Sequence, residues 1–377
     1  MSPLQDKKLR IAILGQPSLI IPSPPSHSVA RIIELQIKGL QEQGHEVILL
    51  APSDCRVDCE VIPTCDKSIS FHEDANLIQT QQIQSHALSK LEEILEHVNI
   101  VHFHSFDIPN FYHTTGILNS LNFPNITTSH SCIEISNLGY FNQCTNKIVS
   151  LSYNQRKACP NLNFVGNVYN GLDPTPFQVV ETPSNYLCFL GRISSVKQPH
   201  LAIQLAIQLG LNLKIAGAVD SLFDKEYFEY YCKPLLKHPL VEYLGELGMR
   251  DKIQLLSHAI CNLHPTGFRD SCPLVPIEAA YCGTPTLAIC RGALPELLEH
   301  GKTGILVEDF AEGFYEIHKC FQMDRLYIAQ QARKRFNYQK MVKEYLSIYR
   351  RVISNFVSTQ ANNAHAPDRR ELISFDA

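Results

Sequence analysis

Two cations, Arg192 and Lys197, follow the apolar run Tyr186–Leu190 on a single short loop. Such a pair suits a pyrophosphate, because Arg grips two oxygens at once and Lys adds a mobile point charge. Two solvated loop cations are the competing reading. A second group closes the loop Pro265–Cys272, where Asp270, Ser271 and Cys272 precede Pro273 and Leu274. Proline is a good first helical residue, and the exposed amides of a helix start attract phosphate or a sugar hydroxyl. Alternatively, Asp270 or Ser271 caps the helix. Glu278 lies in the second turn, where a carboxylate accepts from two vicinal hydroxyls of the kind a ribose presents; an exposed helical glutamate is its plainer reading. His130 ends the run "NITTSH" and would face an interdomain cleft, although a lone strand-end histidine is more often structural. His102 and His104 share a face of "NIVHFH" without an apparent third ligand, which argues against a metal.

The elements that must position these groups alternate. Leu9–Gly15 reads as a strand, and Gln16–Ser28 as a proline-rich loop of the length that usually carries function. Val29–Gln43 has helical apolar spacing and is stopped by Gly44 before the strand "VILLAP". This β-α-β unit implies parallel strands. "LSKLEEILEHV" and "NFYHTTGILNSL" read as helices, and "NIVHFH", "NITTSH", "NKIVSLS" and "LNFVGNVYNG" as strands. Cys55–Gln84 shows no pattern. Proline and threonine mark a linker over Asp173–Asn185. A second series runs from "NYLCFLG" to "GILV", with helices expected over His200–Leu209, Phe223–Leu236, Met249–Ala259, Pro273–Tyr281 and Ala293–Glu299. The expectation is α/β: two tandem parallel-sheet domains, 1–178 and 179–335. A helix over 336–356 would return to the first domain and leave 357–377 as a flexible tail.

Bulk properties narrow the function classes. Hydrophobic residues at 45% against 19% charged residues indicate a globular chain, and a net charge of −4 gives no electrostatic case for nucleic acid. The late basic run, Arg333, Lys334, Arg335, Lys340, Lys343, Arg350 and Arg351, reads as a solvated helix face. Thirteen cysteines, an odd number without disulfide-like spacing, suit a reduced cytoplasmic setting with inert buried thiols. Cys55, Cys59 and Cys65 lack the paired spacing of a zinc site. No signal-peptide core or membrane-length apolar run is legible. After the first strand, "LGQPSLIIPSPPSHS" holds one glycine where a dinucleotide fingerprint needs three, and no P-loop triplet follows a strand.

Taken together, "YLCFLGRISSVKQPHLAIQLA", "VYNGLD", "VEYLGELGMRDKIQLLSHA" and "IEAAYCGTPTLAICRGALPELLEHGKTGILV" resemble the family 4 retaining glycosyltransferases. The resemblance covers about Leu9 to Ile353 and implies a GT-B fold, two Rossmann-like domains facing across a cleft. It implies transfer of a hexose from a nucleotide-sugar, a UDP-sugar, without a metal or other cofactor. Arg192 and Lys197 would hold the donor diphosphate, and Ser271, Cys272 and Leu274 would line the donor site. Glu278 would bind the ribose, Asp270 would sit beside the transferred sugar, and His130 matches the family's strand-end histidine. Saccharide, lipid and small-molecule acceptors stay open, as does weak association with a membrane surface. The chain departs from the family at His27 and Ser28, where a Gly-Gly pair is usual, at Asp270 in place of Glu, and at Pro273 in place of Gly. Those changes keep two rivals in view, a GT-B nucleotide-sugar epimerase and a weakened descendant that only binds.

Overall fold

The computed structural model describes residues 7–24, 27–69, 77–105, 116, 118, 120–131 and 146–364. Two parallel sheets form the frame. The first contains β1 (Arg10–Leu14), β2 (Glu46–Ala51), β3 (Glu60–Pro63), β4 (Ile100–Ser105), β5 (Asn125–Ser129), β6 (Ile148–Ser150) and β7 (Phe164–Asn167). Its order is β3-β2-β1-β4-β5-β6-β7. The second contains β8 (Tyr186–Leu190), β9 (Asn212–Ala216), β10 (Val241–Tyr243), β11 (Cys261–His264), β12 (Thr286–Ile289) and β13 (Gly304–Val307), ordered β10-β9-β8-β11-β12-β13. Every pairing is parallel. The central strands are buried along both faces, Ile11–Leu14 in β1 and Tyr186–Leu190 in β8. That explains their unbroken apolar text in place of alternation.

The helices of the first domain are α1 (Ser28–Glu42), α2 (Leu77–Ile94) and α3 (Tyr153–Lys157). α1 buries Ala30, Ile32, Ile33, Ile37 and Leu40 on the sheet. It stops at Gly44, whose φ of +79° permits the turn that gives the Gly44 N–H to Gln41 O and the His45 N–H to Leu40 O. The patternless stretch Cys55–Gln84 contains β3 and the start of α2. β3 is an edge strand with only half-buried Val61 and Ile62, so its pairing with β2 supplies an order that periodicity does not show. The helix expected over 110–121 falls mostly outside the described residues.

In the second domain follow α4 (Pro199–Leu209), α5 (Leu222–Tyr227), α6 (Met249–His258), α7 (Leu274–Tyr281), α8 (Leu294–Leu297), α9 (Gly313–Glu316) and α10 (Arg325–Arg335). The single helix expected over Phe223–Leu236 is three pieces: α5, a π turn at Phe228–Cys232 and a 3-10 turn at Leu235–Lys237. Pro234 has no N–H for the carbonyl four residues back, and the Lys233 N–H reaches Phe228 O instead.

The last helix, α11 (Tyr338–Ala364), packs on α1 of the first domain. It runs past the expected end at 356, so 357–364, expected as flexible tail, is helical, because no proline or glycine interrupts it before Ala364; residues 365–377 lie outside the described set. Gly39 lets the two helices approach, since a Cβ there would stand 2.7 Å from Val342 Cγ2. Two bonds tie them: Gln36 Nε2 to Tyr349 OH at 2.7 Å, and Tyr338 OH to Glu42 at 2.9 Å.

The basic run is not uniformly solvated. Arg333 donates to Tyr281 O and Phe177 O, and Arg335 to Leu297 O and Glu296 O, because α10 lies against carbonyls that need donors. Lys334, Lys340, Lys343 and Arg351 are exposed. Arg325, 8% exposed, holds the linker to the second sheet by donating to Val180 O (2.7 Å), Ala259 O (3.0 Å), Ser257 O (2.6 Å) and Thr284 Oγ1 (2.8 Å). Arg325→Leu strands these buried acceptors and should cost about 3 kcal/mol or more. A fall in the urea midpoint of the chain checks it, and Arg325→Lys should recover only part.

Candidate functional site

The carboxyl ends of the two sheets face one cavity of about 430 Å³, a size that suits a small-molecule ligand. His130, Arg192, Lys197, Asp270, Ser271, Cys272, Leu274 and Glu278 all line it. The eight residues singled out from sequence therefore meet in one place, as strand ends of parallel sheets allow.

On the second-domain side, β8 delivers Gly191 and Arg192 at its carboxyl end. A Cβ on Gly217, which follows β9, would overlap the carbonyl of Gly191, so the close approach of these loops needs a glycine there. Arg192 is half-exposed, with Nε 3.8 Å from Asp224 Oδ2. Asp224 is held by its own capping box with Ser221 at the start of α5.

Lys197 is not a solvated loop cation. Its Nζ lies 2.6 Å from Asp270 Oδ2, and His264 Nε2 lies 3.8 Å from the same oxygen. Burial pushes the Asp270 carboxyl up, but the Lys197 ammonium, helped by the neighbouring His264 ring, outweighs it and holds the group well below the usual carboxylate range. Burial lowers His264, and Thr266 Oγ1 sits 3.1 Å from its Nε2. The Asp270 backbone is placed by Gly292, at φ +58°, where a Cβ would come within 2.6 Å of Asp270 O.

The helix start differs from the expectation. Pro273 is the N-cap with extended ψ of 135°, and α7 begins at Leu274. No side chain caps it: Asp270 is turned to Lys197, and Ser271 Oγ donates to His130 O at 2.8 Å. First-turn N–H groups at Leu274 and Val275, which line the cavity, have no acceptor within their own helix. Cys272 is buried and desolvation pushes its thiol up to about 12, so it offers packing rather than a nucleophile. Its carbonyl accepts from Asn170 Nδ2 at 2.9 Å.

Glu278 is not an exposed helical glutamate but 2% exposed. Arg31 Nη1, from the first turn of α1, is 2.5 Å from its Oε1, and Lys252 Nζ is 3.7 Å away. Arg31, Lys252, His264 and Thr266 escaped the sequence reading. Arg31 and Lys252 are marked only by Glu278, a partner far along the chain, while His264 and Thr266 lie in the same strand-end loop as Asp270 but carry no motif that marks them. A further link across the cleft is Glu296, which accepts from the N–H groups of Tyr153 (2.8 Å) and Asn154 (2.6 Å) at the start of α3, and from Tyr169 OH (2.7 Å).

From the first domain, His27 and Ser28 line the cavity at the start of α1. His130 Nε2 lies 3.0 Å from His104 Nδ1, and burial lowers His130 to about 3. His102 and His104 are fully buried behind it, with ring centroids 4.0 Å apart. Among the described residues no group of three or more His, Cys, Asp or Glu side chains is arranged to hold a metal.

Residues 175–335 match the family model described as glycosyl transferases group 1. The second domain is similar to that family over its whole length. The matched span starts in the linker and carries every second-domain residue of the cavity. The chain is 25% identical over 192 residues to a D-inositol 3-phosphate glycosyltransferase of Mycolicibacterium smegmatis, covering 46% of this chain and 42% of that protein. It thus spans under half the length of this curated relative. The whole architecture superposes on sucrose-phosphate synthase from Thermosynechococcus elongatus with a TM-score of 0.74 at 15% identity, covering 92% of this chain and 100% of that one. Anabaena HepE, solved in complex with UDP-glucose, gives a TM-score of 0.66 at 15% identity over 93% of this chain and 100% of that chain. The second domain and its partner form the GT-B fold. No described helix is long and apolar enough to cross a membrane.

The histidines generate a pH prediction. Desolvation is the first cause of the downward shifts of His102 and His104, and neighbouring histidine charge adds to it. Both stay neutral in the fold while the unfolded chain binds protons below its ordinary value of 6.5. The stability they contribute is full above pH 6.5 and is lost as the pH falls below it, by up to about 1.4 kcal/mol per histidine per pH unit. Urea midpoints measured from pH 7.5 to 5 should fall steeply below 6.5, and His102→Gln should flatten the slope.

Proposed function

We propose that this chain is a retaining glycosyltransferase that moves a hexose from a nucleotide-sugar, a UDP-sugar, to an acceptor bound on the first-domain side of the cavity. The observation that carries the reading is the convergence of Arg192, Lys197 and the uncapped start of α7 on one cavity that also holds Glu278 and His130. Two cations and a helix N-terminus are what a leaving nucleoside diphosphate needs, since negative charge grows there in the transition state. Similarity to the group 1 family and the likeness to a fold solved with UDP-glucose support the same donor class.

In this reading Arg192 takes the diphosphate from the rim and Lys197 takes it from within, its ammonium shared between Asp270 and a phosphate oxygen. Asp270, ionised because of that ammonium, is the carboxylate beside the transferred sugar. One Glu278 oxygen is engaged by Arg31, and the carboxylate orients the ribose hydroxyls with the other. Ser271 and Cys272 carry the donor loop, and the Leu274 and Val275 amides offer donors where Pro273 has none. His130 addresses the sugar. Charge neutralisation comes from side chains and amides, and the acceptor attacks from the leaving-group face.

A panel of nucleotide-sugars assayed for slow donor hydrolysis tests this. One donor should release its nucleoside diphosphate, and Arg192→Ala or Lys197→Ala should each lower the rate about 100-fold, the scale of losing one preorganised charge donor. Release of the nucleoside diphosphate together with a 2-epimerised sugar would indicate the epimerase. Tight binding without turnover across acceptors would indicate a weakened descendant, and the absence of binding by any donor would sink the reading.

A further inference from the structure

The ring behind His130 decides what His130 offers the cavity. His104, on β4, is fully buried, and its Nδ1 lies 3.0 Å from His130 Nε2 with the rings stacked at 5.3 Å and 25°. Its other nitrogen, Nε2, is buried and has no hydrogen-bond partner among the described residues. Both rings are neutral near pH 7, so each carries a single ring proton.

Two arrangements satisfy the 3.0 Å contact. In one, His104 Nδ1 accepts, its own proton sits on Nε2, and a buried N–H has no acceptor among the described residues. In the other, His104 Nδ1 donates and Nε2 is left as a lone pair. An orphaned buried N–H is rarer than an under-used acceptor, so the second arrangement is favoured. The other neighbour of His104 is locked in its own network. His102 Nδ1 faces Gln36 Nε2 (3.0 Å) and Tyr349 OH (2.7 Å), while its Nε2 faces Thr128 Oγ1 at 2.8 Å, which in turn meets Tyr345 OH at 3.0 Å. Because the Gln36 amide nitrogen only donates, His102 Nδ1 accepts and His102 has no proton there to change the balance. Its ring, 4.0 Å from that of His104, backs the His104 ring from the core side.

We propose that His104 is a positioning residue that donates Nδ1–H to His130 Nε2 and so fixes His130 as the Nδ1–H tautomer. His130 then meets a bound sugar as a hydrogen-bond donor to one of its oxygens and does not serve as a base. The consequence for transfer rests on the function proposed above; the tautomer does not.

Two measurements separate the claims. Long-range proton–nitrogen correlation spectra of histidine-labelled protein at pH 7.5 should show His130 protonated at Nδ1 and bare at Nε2. A His130 protonated at Nε2 overturns the proposal whether or not the chain transfers sugar. For turnover, His104→Leu should lower kcat about 10-fold, the scale of one misdirected hydrogen bond, with the donor KM changed less than 3-fold. His104→Asn, whose amide can donate from nearly the same place, should restore most of the rate and the His130 tautomer. A role in packing alone would make Asn as harmful as Leu, and that result would also overturn the proposal. If no donor turns over, the spectra of wild type, His104→Leu and His104→Asn still decide it.

Discussion

A single buried carboxylate ties the two halves of the molecule. Glu278 belongs to the second domain and is nearly inaccessible, yet its nearest cation, Arg31, belongs to the first. Removing Glu278 would leave the largely buried Arg31 uncompensated, and removing Arg31 would leave Glu278 with only Lys252, 3.7 Å away; either loss is costlier than the pair is favourable. The domains are therefore held at the separation at which Arg31 reaches Glu278. That separation also brings Ser271 to the His130 carbonyl, Asn170 to the Cys272 carbonyl and Glu296 to the start of α3. Polar contacts of this kind specify geometry while leaving a cavity between them, which an apolar interface would close.

The same logic runs through the second-domain side of the cleft. Lys197 and Asp270 form a pair in which each charge makes the other tolerable, with the His264 ring beside them, and the net effect is an ionised carboxylate in a buried place. At Asp270 and Pro273 the surroundings fit the residues present. Asp270 is one methylene shorter than glutamate, and Lys197 comes to 2.6 Å of it. Pro273 supplies no amide, and the helix begins one residue later, so Leu274 and Val275 present theirs. On the first-domain side the buried histidines trade charge for exact hydrogen-bond roles. They are neutral because they are dry, and a neutral ring must choose which nitrogen donates.

Much of the fold was legible in one dimension because parallel strands buried on both faces write themselves as uninterrupted apolar runs. "YLCFL" and "GILV" needed nothing else. β3 was illegible for the opposite reason, being a short edge strand whose only organiser is its neighbour β2. The helix after Ser221 was misread as continuous because propensity sees Pro234 as one unfavourable residue, whereas the backbone answers it with a π turn upstream. Loop cations Arg192 and Lys197 looked alike in sequence; the structure separates a half-exposed arginine from a lysine paired in the interior.

By itself, the sequence determined the architecture, the residues that the strand ends would bring to a cleft, and the family that the second domain resembles. These depend on periodicity, on glycine and proline placement, and on motifs within one contiguous stretch. Only the tertiary structure decided the state of those residues: that Glu278 is buried and paired, that Asp270 is ionised by Lys197, and that His130 leans on His104. Each of these rests on a partner tens to hundreds of positions away, and burial and Coulomb interactions follow distance in space, which the order of residues does not encode locally.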